Sequence, residues 1–260
     1  MADFDRYGTA RVSGTARTEA AVIDQGLRAY MVSVYNYMAI GLAITGLVAI
    51  GAFKLATTGD ASTAVATMPN GVMLTQLGVT LFTTPLKWVV ALAPLGMVFF
   101  LSARINSMTA SGAQTAFWVF ASLMGLSLST IFLVYTGNSI ARVFFVTAAA
   151  FGALSLYGYT TKRNLSALGT FLFMGLIGIV IASLVNIFIG STMMQFIISS
   201  AGVLIFSGLT AYDTQRIKEM YNAVDDSTIM GRKAIMGALS LYLDFINLFM
   251  MLLNLFGNRN

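Results

Sequence analysis

The sequence contains neither cysteine nor histidine among its 260 residues. Without cysteine, the protein forms no disulfide bonds and has no thiol nucleophile and no sulfur ligand for a metal. Without histidine, it lacks the side chain that most often serves as a general base, a zinc ligand or a switch near neutral pH. Proton sensing or cation binding in its interior therefore depends on its carboxylates.

Charged residues are also scarce. They make up 10% of the chain, whereas soluble domains carry about 25%, and hydrophobic residues make up 57%. This composition predicts an all-α integral membrane protein. The net charge of +5 comes from basic residues scattered between apolar stretches, which does not indicate nucleic-acid binding. No apolar segment follows the first methionine closely, so we expect no cleavable signal peptide.

Stretches without charge divide the chain into membrane helices, because about 20 apolar residues are needed to cross the hydrocarbon core. Residues 1–26 are predicted to form a flexible cytoplasmic tail, and residues 27–260 a domain of seven transmembrane helices. Residues 54–87 read as a long external loop that holds a short surface helix. The predicted helices cover, in order, residues 31–53, 88–103, 113–134, 142–160, 166–189, 193–217 and 234–256.

The distribution of basic residues predicts the orientation. With the N-terminus in the cytoplasm, eleven Lys and Arg residues lie on the inner side and four on the outer side. Short cytoplasmic loops carry such an excess, so we expect the N-terminus to be cytoplasmic. The last apolar segment either crosses the membrane or re-enters it, and the sequence leaves both open.

The last predicted helix carries a polar face. Its polar residues recur at helical spacing, while the rest of the segment is Leu, Ile, Phe and Met. A polar stripe at membrane depth faces protein or a water-filled cavity, so we predict a central C-terminal helix surrounded by the six others. The alternative is a lipid-exposed helix whose polar face lies along the interface. The face consists of Ser240, Asp244, Asn247, Asn254 and Asn258.

Asp213 and Asp244 lie inside otherwise apolar helical stretches. A carboxylate at this depth is costly unless it is paired, hydrated or protonated, so each is a candidate functional residue. If the two share a site, they cannot both ionise readily and they bind protons as a unit. When ionised, they offer the hard oxygen ligands that Ca²⁺ prefers. We therefore predict a pH sensor on an ion pathway, with transient calcium binding to both.

The two aspartates and Arg104 could instead have purely structural roles. Asp213 could pair with Arg216 on its own helix, and Asp244 could be hydrogen-bonded to Asn247 or Ser240. Arg104, at the end of the second helix, is either an interfacial anchor or a latch on one of the acids.

An intramembrane aspartyl protease also uses two aspartates on adjacent helices. Tyr212-Asp213 fits its first motif, but Leu241-Tyr-Leu-Asp244 stands where such proteases have Gly-x-Gly-Asp, and no Pro-Ala-Leu segment follows. We therefore expect a protein that is not an enzyme and that holds no cofactor.

Two segments resemble the bacterial branch of the Bax inhibitor-1 (TMBIM, lifeguard) family. They are Ala211-Tyr-Asp-Thr-Gln-Arg-Ile-Lys218 and Ser240-Leu-Tyr-Leu-Asp-Phe-Ile-Asn-Leu-Phe249, the latter followed by Leu253-Asn-Leu-Phe-Gly-Asn258. The resemblance covers about residues 25–258. It implies two three-helix layers around a central last helix in a bacterial inner membrane protein.

For function, the resemblance implies a pH-sensitive Ca²⁺ leak channel with Asp213 and Asp244 as its di-aspartyl sensor. The family's latching arginine corresponds to Arg104 here. No acid lies within the second helix, so a channel-lining role there does not transfer. The resemblance also implies an alternative, a non-conducting modulator of a membrane-bound quality-control protease that acts through the tail of residues 1–26. The expected partners are thus the bilayer, calcium, protons and such a protease.

Overall fold

The computed structural model describes residues 4–259, with side chains described from Asp24 onward. The first helix is α1 (Phe4–Ala56), of which Asp24–Ala56 is long and apolar enough to cross a membrane. The predicted flexible tail, residues 1–26, lies almost entirely before the described side chains and stays a prediction.

Seven long apolar helical stretches lie within residues 4–259 and confirm the predicted number of spans. The other six spans follow α1 and are separated from one another by short connections. These are α3 (Leu86–Arg104) with a 3₁₀ turn (Ile105–Ser107), α4 (Ala110–Leu128) with α5 (Ile131–Val134), α6 (Gly137–Thr160), α7 (Ser166–Ile189), α8 (Thr192–Glu219) and α9 (Ser227–Phe256).

Local signals explain where these helices begin and end. α7 has the predicted bounds because Gly190 ends it with a φ of +67° and Ser191 then caps α8 by accepting from the N–H of Met194 at 3.3 Å. α9 begins at Ser227 rather than at the predicted Ala234. The Asp226 carboxylate accepts from the N–H of Ile229 at 2.8 Å and caps the helix, so α9 extends beyond the apolar region that the charge pattern marked.

The third span is interrupted, whereas the sequence predicted one unbroken helix over 113–134. The hydroxyl of Ser129 donates to the carbonyl of Leu126 at 2.6 Å, and that of Thr130 donates to the carbonyl of Ser127 at 3.0 Å. Side chains that bond back to the preceding turn compete with the helical ladder, and here α4 ends and α5 begins.

The long predicted loop contains more structure than expected. The surface helix is α2 (Gln76–Phe82), and three two-residue strands form an antiparallel sheet in the order β1-β3-β2. Strands this short carry no alternation that a sequence could reveal. The side chain of Asn70 donates to the carbonyl of Leu133 at 2.7 Å and ties this loop to α5. The strands are β1 (Thr57–Thr58), β2 (Ala66–Thr67) and β3 (Met73–Leu74).

The prediction of a central C-terminal helix is confirmed. α9 packs against α1, α4, α6 and α8, while α3 packs mainly on α4 and α7 mainly on α8. The side chains of Tyr242 and Leu253 on α9 are fully buried. The alternative of a lipid-exposed last helix is therefore wrong, because the apolar residues of α9 fill the protein core.

The last helix also spans the bundle and does not re-enter. Its 30 residues are continuous and measure about 45 Å at 1.5 Å per residue. The backbone N–H of Asn258 then donates to the Ser139 hydroxyl at 2.9 Å, and the N–H of Thr136 donates to the carbonyl of Asn258 at 3.0 Å. These bonds fix the end of α9 beside the start of α6.

The two ends of the bundle differ in charge. We call the end where α8 finishes and α9 begins the basic end, and the other the far end. The far end carries Lys54, Lys87, Arg142 and Arg259. The basic end carries Arg28, Arg104, Lys162, Arg163, Arg216, Lys218, Arg232 and Lys233.

Candidate functional site

The two predicted aspartates meet in the structure. α8 packs along α9, and this places the carboxyl groups of Asp213 and Asp244 within hydrogen-bonding reach of each other. The two helices run in opposite directions. Asp213 lies in the last third of α8, and Asp244 lies beyond the middle of α9.

Burial differs between the two acids. Asp244 is 6% exposed, and its Oδ2 is buried and receives no hydrogen bond from an N–H or other donor in the described part of the chain. The side chain of Asp213 is 16% exposed. Asp213 is therefore the more exposed member of the pair, and Asp244 is the inner member.

Arg216 is the cation at this site. Its Nη1 lies 3.9 Å from Oδ1 of Asp213, one turn further along α8, and its side chain is 59% exposed. The predicted pairing on the same helix is thus present, but it is long and solvated, and such pairs contribute little, about 0–1 kcal/mol. Asp213 consequently pairs with Arg216 and meets Asp244 at the same time.

A cavity of about 750 Å³ opens over the pair, between α7, α8 and α9. It exists because α7 packs mainly against α8 and leaves the adjoining face of α9 open. Arg216 stands at its basic end, and its walls are mostly apolar. Its polar lining consists of Thr170, Ser183, Tyr212, Asp213, Arg216, Ser240, Asp244 and Asn247.

The predicted supporting residues are divided between two places. Ser240 and Asn247 line the cavity beside Asp244. The side-chain amide of Asn247 donates to the carbonyl of Leu243 at 2.8 Å, and neither residue forms the predicted hydrogen bond to Asp244 among the bonds of the described residues. Asn254 lies nearer the far end, where its Oδ1 accepts from the hydroxyl of Tyr135 at 2.8 Å.

Arg104 is not brought to the pair. It ends α3, its side chain is exposed, and it makes no ion pair with an aspartate in the described part of the chain. α3 packs mainly on α4, on a different side of the bundle from the α7–α8–α9 cavity. In this conformation Arg104 therefore occupies the position of an interfacial anchor.

Two sets of residues at the site were not predicted. Thr170 and Ser183 of α7 line the cavity, but α7 is free of charge and its hydroxyls follow no distinctive pattern. Behind Asp213, the Thr214 hydroxyl is 2.9 Å from that of Ser155, which is 2.5 Å from the hydroxyl of Tyr35. Only the packing of α6 and α8 reveals this series of hydrogen-bonded hydroxyls.

The number of ligands at this site suits a transiently bound cation better than a permanently bound one. Two carboxylates are present, and no group of three or more acidic residues that could hold a metal ion occurs within the described residues. Ca²⁺ takes six to eight oxygen ligands, so here waters would supply most of them. The carboxyl pair can either bind a proton or supply some of the oxygen ligands of a cation.

Comparison with known proteins shows similarity over most of the chain. The family described as "Inhibitor of apoptosis-promoting Bax1" matches residues 27–260. The "Inner membrane protein YbhL" of Escherichia coli (strain K12) is 46% identical over 236 residues, which cover 90% of this chain and 93% of that protein. The "Uncharacterized protein RP147" of Rickettsia prowazekii is 43% identical over 245 residues, which cover 94% and 96%.

Proposed function

The chain belongs to the Bax inhibitor-1 family of multi-pass membrane proteins, and from this premise we propose that it is a pH-sensitive calcium leak channel. The observation that carries the proposal is the meeting of Asp213 and Asp244 inside a cavity at membrane depth. An intramembrane acid is costly to keep without a function, and here two acids share one site.

The cavity supports a pathway along α7. Its lining on that helix runs from Gly169 to Ile187, which is about 27 Å at 1.5 Å per residue. The basic end of the cavity contains the carboxyl pair and Arg216, and beyond Ser183 its α7 wall is apolar. A cation that enters from the basic end therefore meets the acids before the apolar section.

Protonation of the pair supplies the pH sensitivity in this proposal. A pair that shares a proton offers a cation less negative charge than a doubly ionised pair, and it holds α8 and α9 together through the carboxyl–carboxyl hydrogen bond. Loss of that proton creates repulsion between two like charges in a region of low dielectric. Both the affinity for Ca²⁺ and the spacing of the two helices then change with pH.

We further propose that the protein resides in a bacterial inner membrane, with the basic end in the cytoplasm. The Escherichia coli relative is named as an inner membrane protein, which supports the membrane, and the excess of Lys and Arg at the basic end supports the orientation. In this proposal the protein is not an enzyme and holds no resident cofactor, and calcium is the transported ion.

The test is Ca²⁺ flux into proteoliposomes that contain the purified full chain, measured from pH 5 to 8. The proposal predicts a flux above that of protein-free vesicles and a rate that changes with pH. The non-conducting alternative, modulation of a membrane-bound protease, predicts no flux from folded protein at any pH. Substrate turnover by such a protease, with and without residues 1–26, then becomes the relevant measurement.

A further inference from the structure

A second groove, separate from the carboxyl cavity, lies between α1 and α6 near the basic end. It has a volume of about 590 Å³. α1 and α6 both pack on α9, and the groove lies between them. It is lined by Arg28, Met31, Val32, Tyr35, Phe151, Gly152, Ser155, Leu156 and Tyr159.

The polarity of this groove changes along its length. Arg28 and Tyr159 line the section nearest the basic end, and Phe151, Gly152 and Val32 line the section that lies deeper in the membrane. Between Arg28 and Tyr35 the groove extends along α1 by about 10 Å at 1.5 Å per residue. We call the section at Arg28 and Tyr159 the mouth of the groove and the section at Phe151, Gly152 and Val32 its floor. A basic mouth and an apolar floor match a molecule with an anionic head group and a hydrocarbon chain.

The charge at the mouth is positive. Arg28 is exposed and forms no ion pair within the described part of the chain, although Asp24 lies one turn earlier on the same helix. Lys218 adds a second cation at the edge, because its Nζ donates to the carbonyl of Tyr159 at 2.8 Å and lies 5.1 Å from the centre of the Tyr159 ring. Among the residues whose side chains the structure describes, none that lines the groove is acidic.

The deeper section of the groove has open space at Gly152. An added Cβ at Gly152 would meet no atom within 4 Å, so the space beside this residue is empty. The hydroxyl of Tyr35 is 2.5 Å from that of buried Ser155, which fixes the ring of Tyr35 as a wall of the groove. A hydrocarbon chain can therefore enter without displacing a side chain.

From these observations we infer that the α1–α6 groove binds an anionic phospholipid, with its phosphate at Arg28 and one acyl chain along Phe151 and Gly152. Basic pockets between transmembrane helices bind anionic head groups, and Arg is suited to phosphate because its planar guanidinium donates two parallel hydrogen bonds. This inference concerns a different face from the carboxyl cavity and does not depend on ion conduction.

The test is native mass spectrometry of the detergent-purified full chain, incubated with phosphatidylglycerol or with phosphatidylcholine of the same acyl chains. We expect the wild type to retain phosphatidylglycerol preferentially. Arg28→Gln should lower that retention about fivefold, as expected for one cation at the membrane surface, and Arg28→Lys should keep most of it. Gly152→Leu should lower retention of both lipids, because it fills the floor.

Two variants serve as matched controls. Arg142→Gln removes the same charge from an exposed position at the far end, and Gly178→Leu adds the same side chain at a glycine of α7 that also has open space around it. Neither should change lipid retention, and unaltered thermal unfolding midpoints should show that all variants fold.

Three results would overturn the inference. Equal losses in Arg142→Gln and Arg28→Gln would mean that net charge attracts the lipid. Undiminished retention in folded Gly152→Leu would mean that no acyl chain lies in the groove. Displacement of phosphatidylglycerol by millimolar inorganic phosphate, equally in wild type and Gly152→Leu, would mean that the mouth binds a free anion and that the apolar floor is irrelevant.

Discussion

The carboxyl groups of Asp213 and Asp244 come within hydrogen-bonding reach across the α8–α9 interface, although the two residues are 31 positions apart in the sequence. The inner acid is buried and the outer acid contacts both a cavity and an exposed arginine.

Removal of the Arg216 charge should shift the pH response without abolishing it. Arg216⁺ favours the ionised form of Asp213 from 3.9 Å, so in Arg216→Gln the pair should bind its proton more readily and the midpoint should move to higher pH. Because the arginine is largely exposed, its interaction with Asp213 is weak and the shift should be small. Flux titrations at low salt measure this shift; a shift to lower pH would contradict the role given to Arg216.

The buried hydroxyl of Tyr242 should stabilise the centre of the bundle. It lies 2.6 Å from the Thr45 hydroxyl, which is also 2.9 Å from the carbonyls of Gly41 and Ala121. Since Thr45 has one proton to give to a carbonyl, Tyr242 donates to it. Tyr242→Phe should therefore cost about 1 kcal/mol and lower the thermal midpoint in detergent by about 2–4 °C.

The matched control for that change is Tyr157→Phe, which removes a hydroxyl from a half-exposed ring on α6 and should leave the thermal midpoint unchanged. Equal midpoints for the two variants would show that the Tyr242–Thr45 contact does not stabilise the fold.

Gly158 should be intolerant of even one added methyl group. A Cβ at this position would lie 2.2 Å from the backbone oxygen of Ala211, so α6 and α8 would have to separate. We expect Gly158→Ala to destabilise the protein by about 1–3 kcal/mol, as overpacking does. Gly178→Ala has no atom within 4 Å of its new methyl group and should instead stabilise by up to about 1 kcal/mol. Thermal unfolding of both variants decides this, and a loss of the same size in each would refute the close-approach argument.

The orientation can be measured cleanly because the chain has no native cysteine. A single cysteine at Val224, which is 89% exposed in the α8–α9 connection, should react in intact cells only with a membrane-permeant thiol reagent. A single cysteine at Ala61, in the exposed loop at the far end, should also react with an impermeant reagent. The reverse pattern would place the basic end outside.

The sequence allowed the spans to be predicted wherever a change in polarity coincides with a helix end. Ser166–Ile189 was predicted at its observed bounds because a turn after Arg163 and a glycine at position 190 delimit it. The start of α9 was placed seven residues late, since charge marks the edge of the apolar region whereas the cap at Asp226 determines where the helix begins. The break at Ser129 depends on side-chain rotamers that a hydropathy pattern does not encode.

For the site, the two acids were predictable because carboxylates are conspicuous in apolar helices. Their partners were not. The contribution of α7 to the cavity follows from its packing against α8 and away from α9, and no residue of α7 is charged. The position of Arg104 depends on the packing of α3, which its end-of-helix place in the sequence leaves open.

The central claim is that the Asp213–Asp244 pair senses the proton, and the most direct measurement compares Ca²⁺ flux at pH 5 to 8 in wild type and Asp213→Asn/Asp244→Asn proteoliposomes. Asparagine keeps the shape of each side chain and cannot titrate. Asp60→Asn is the matched control, because the pKa of exposed Asp60 is held below its usual value by the N–H of Ser62 and this acid does not titrate in the range measured.

We expect wild type and Asp60→Asn to show the same pH-dependent flux, and the folded double variant to conduct at a rate that no longer changes with pH. If the double variant retains the wild-type pH dependence, the account is contradicted, and other residues must sense the proton.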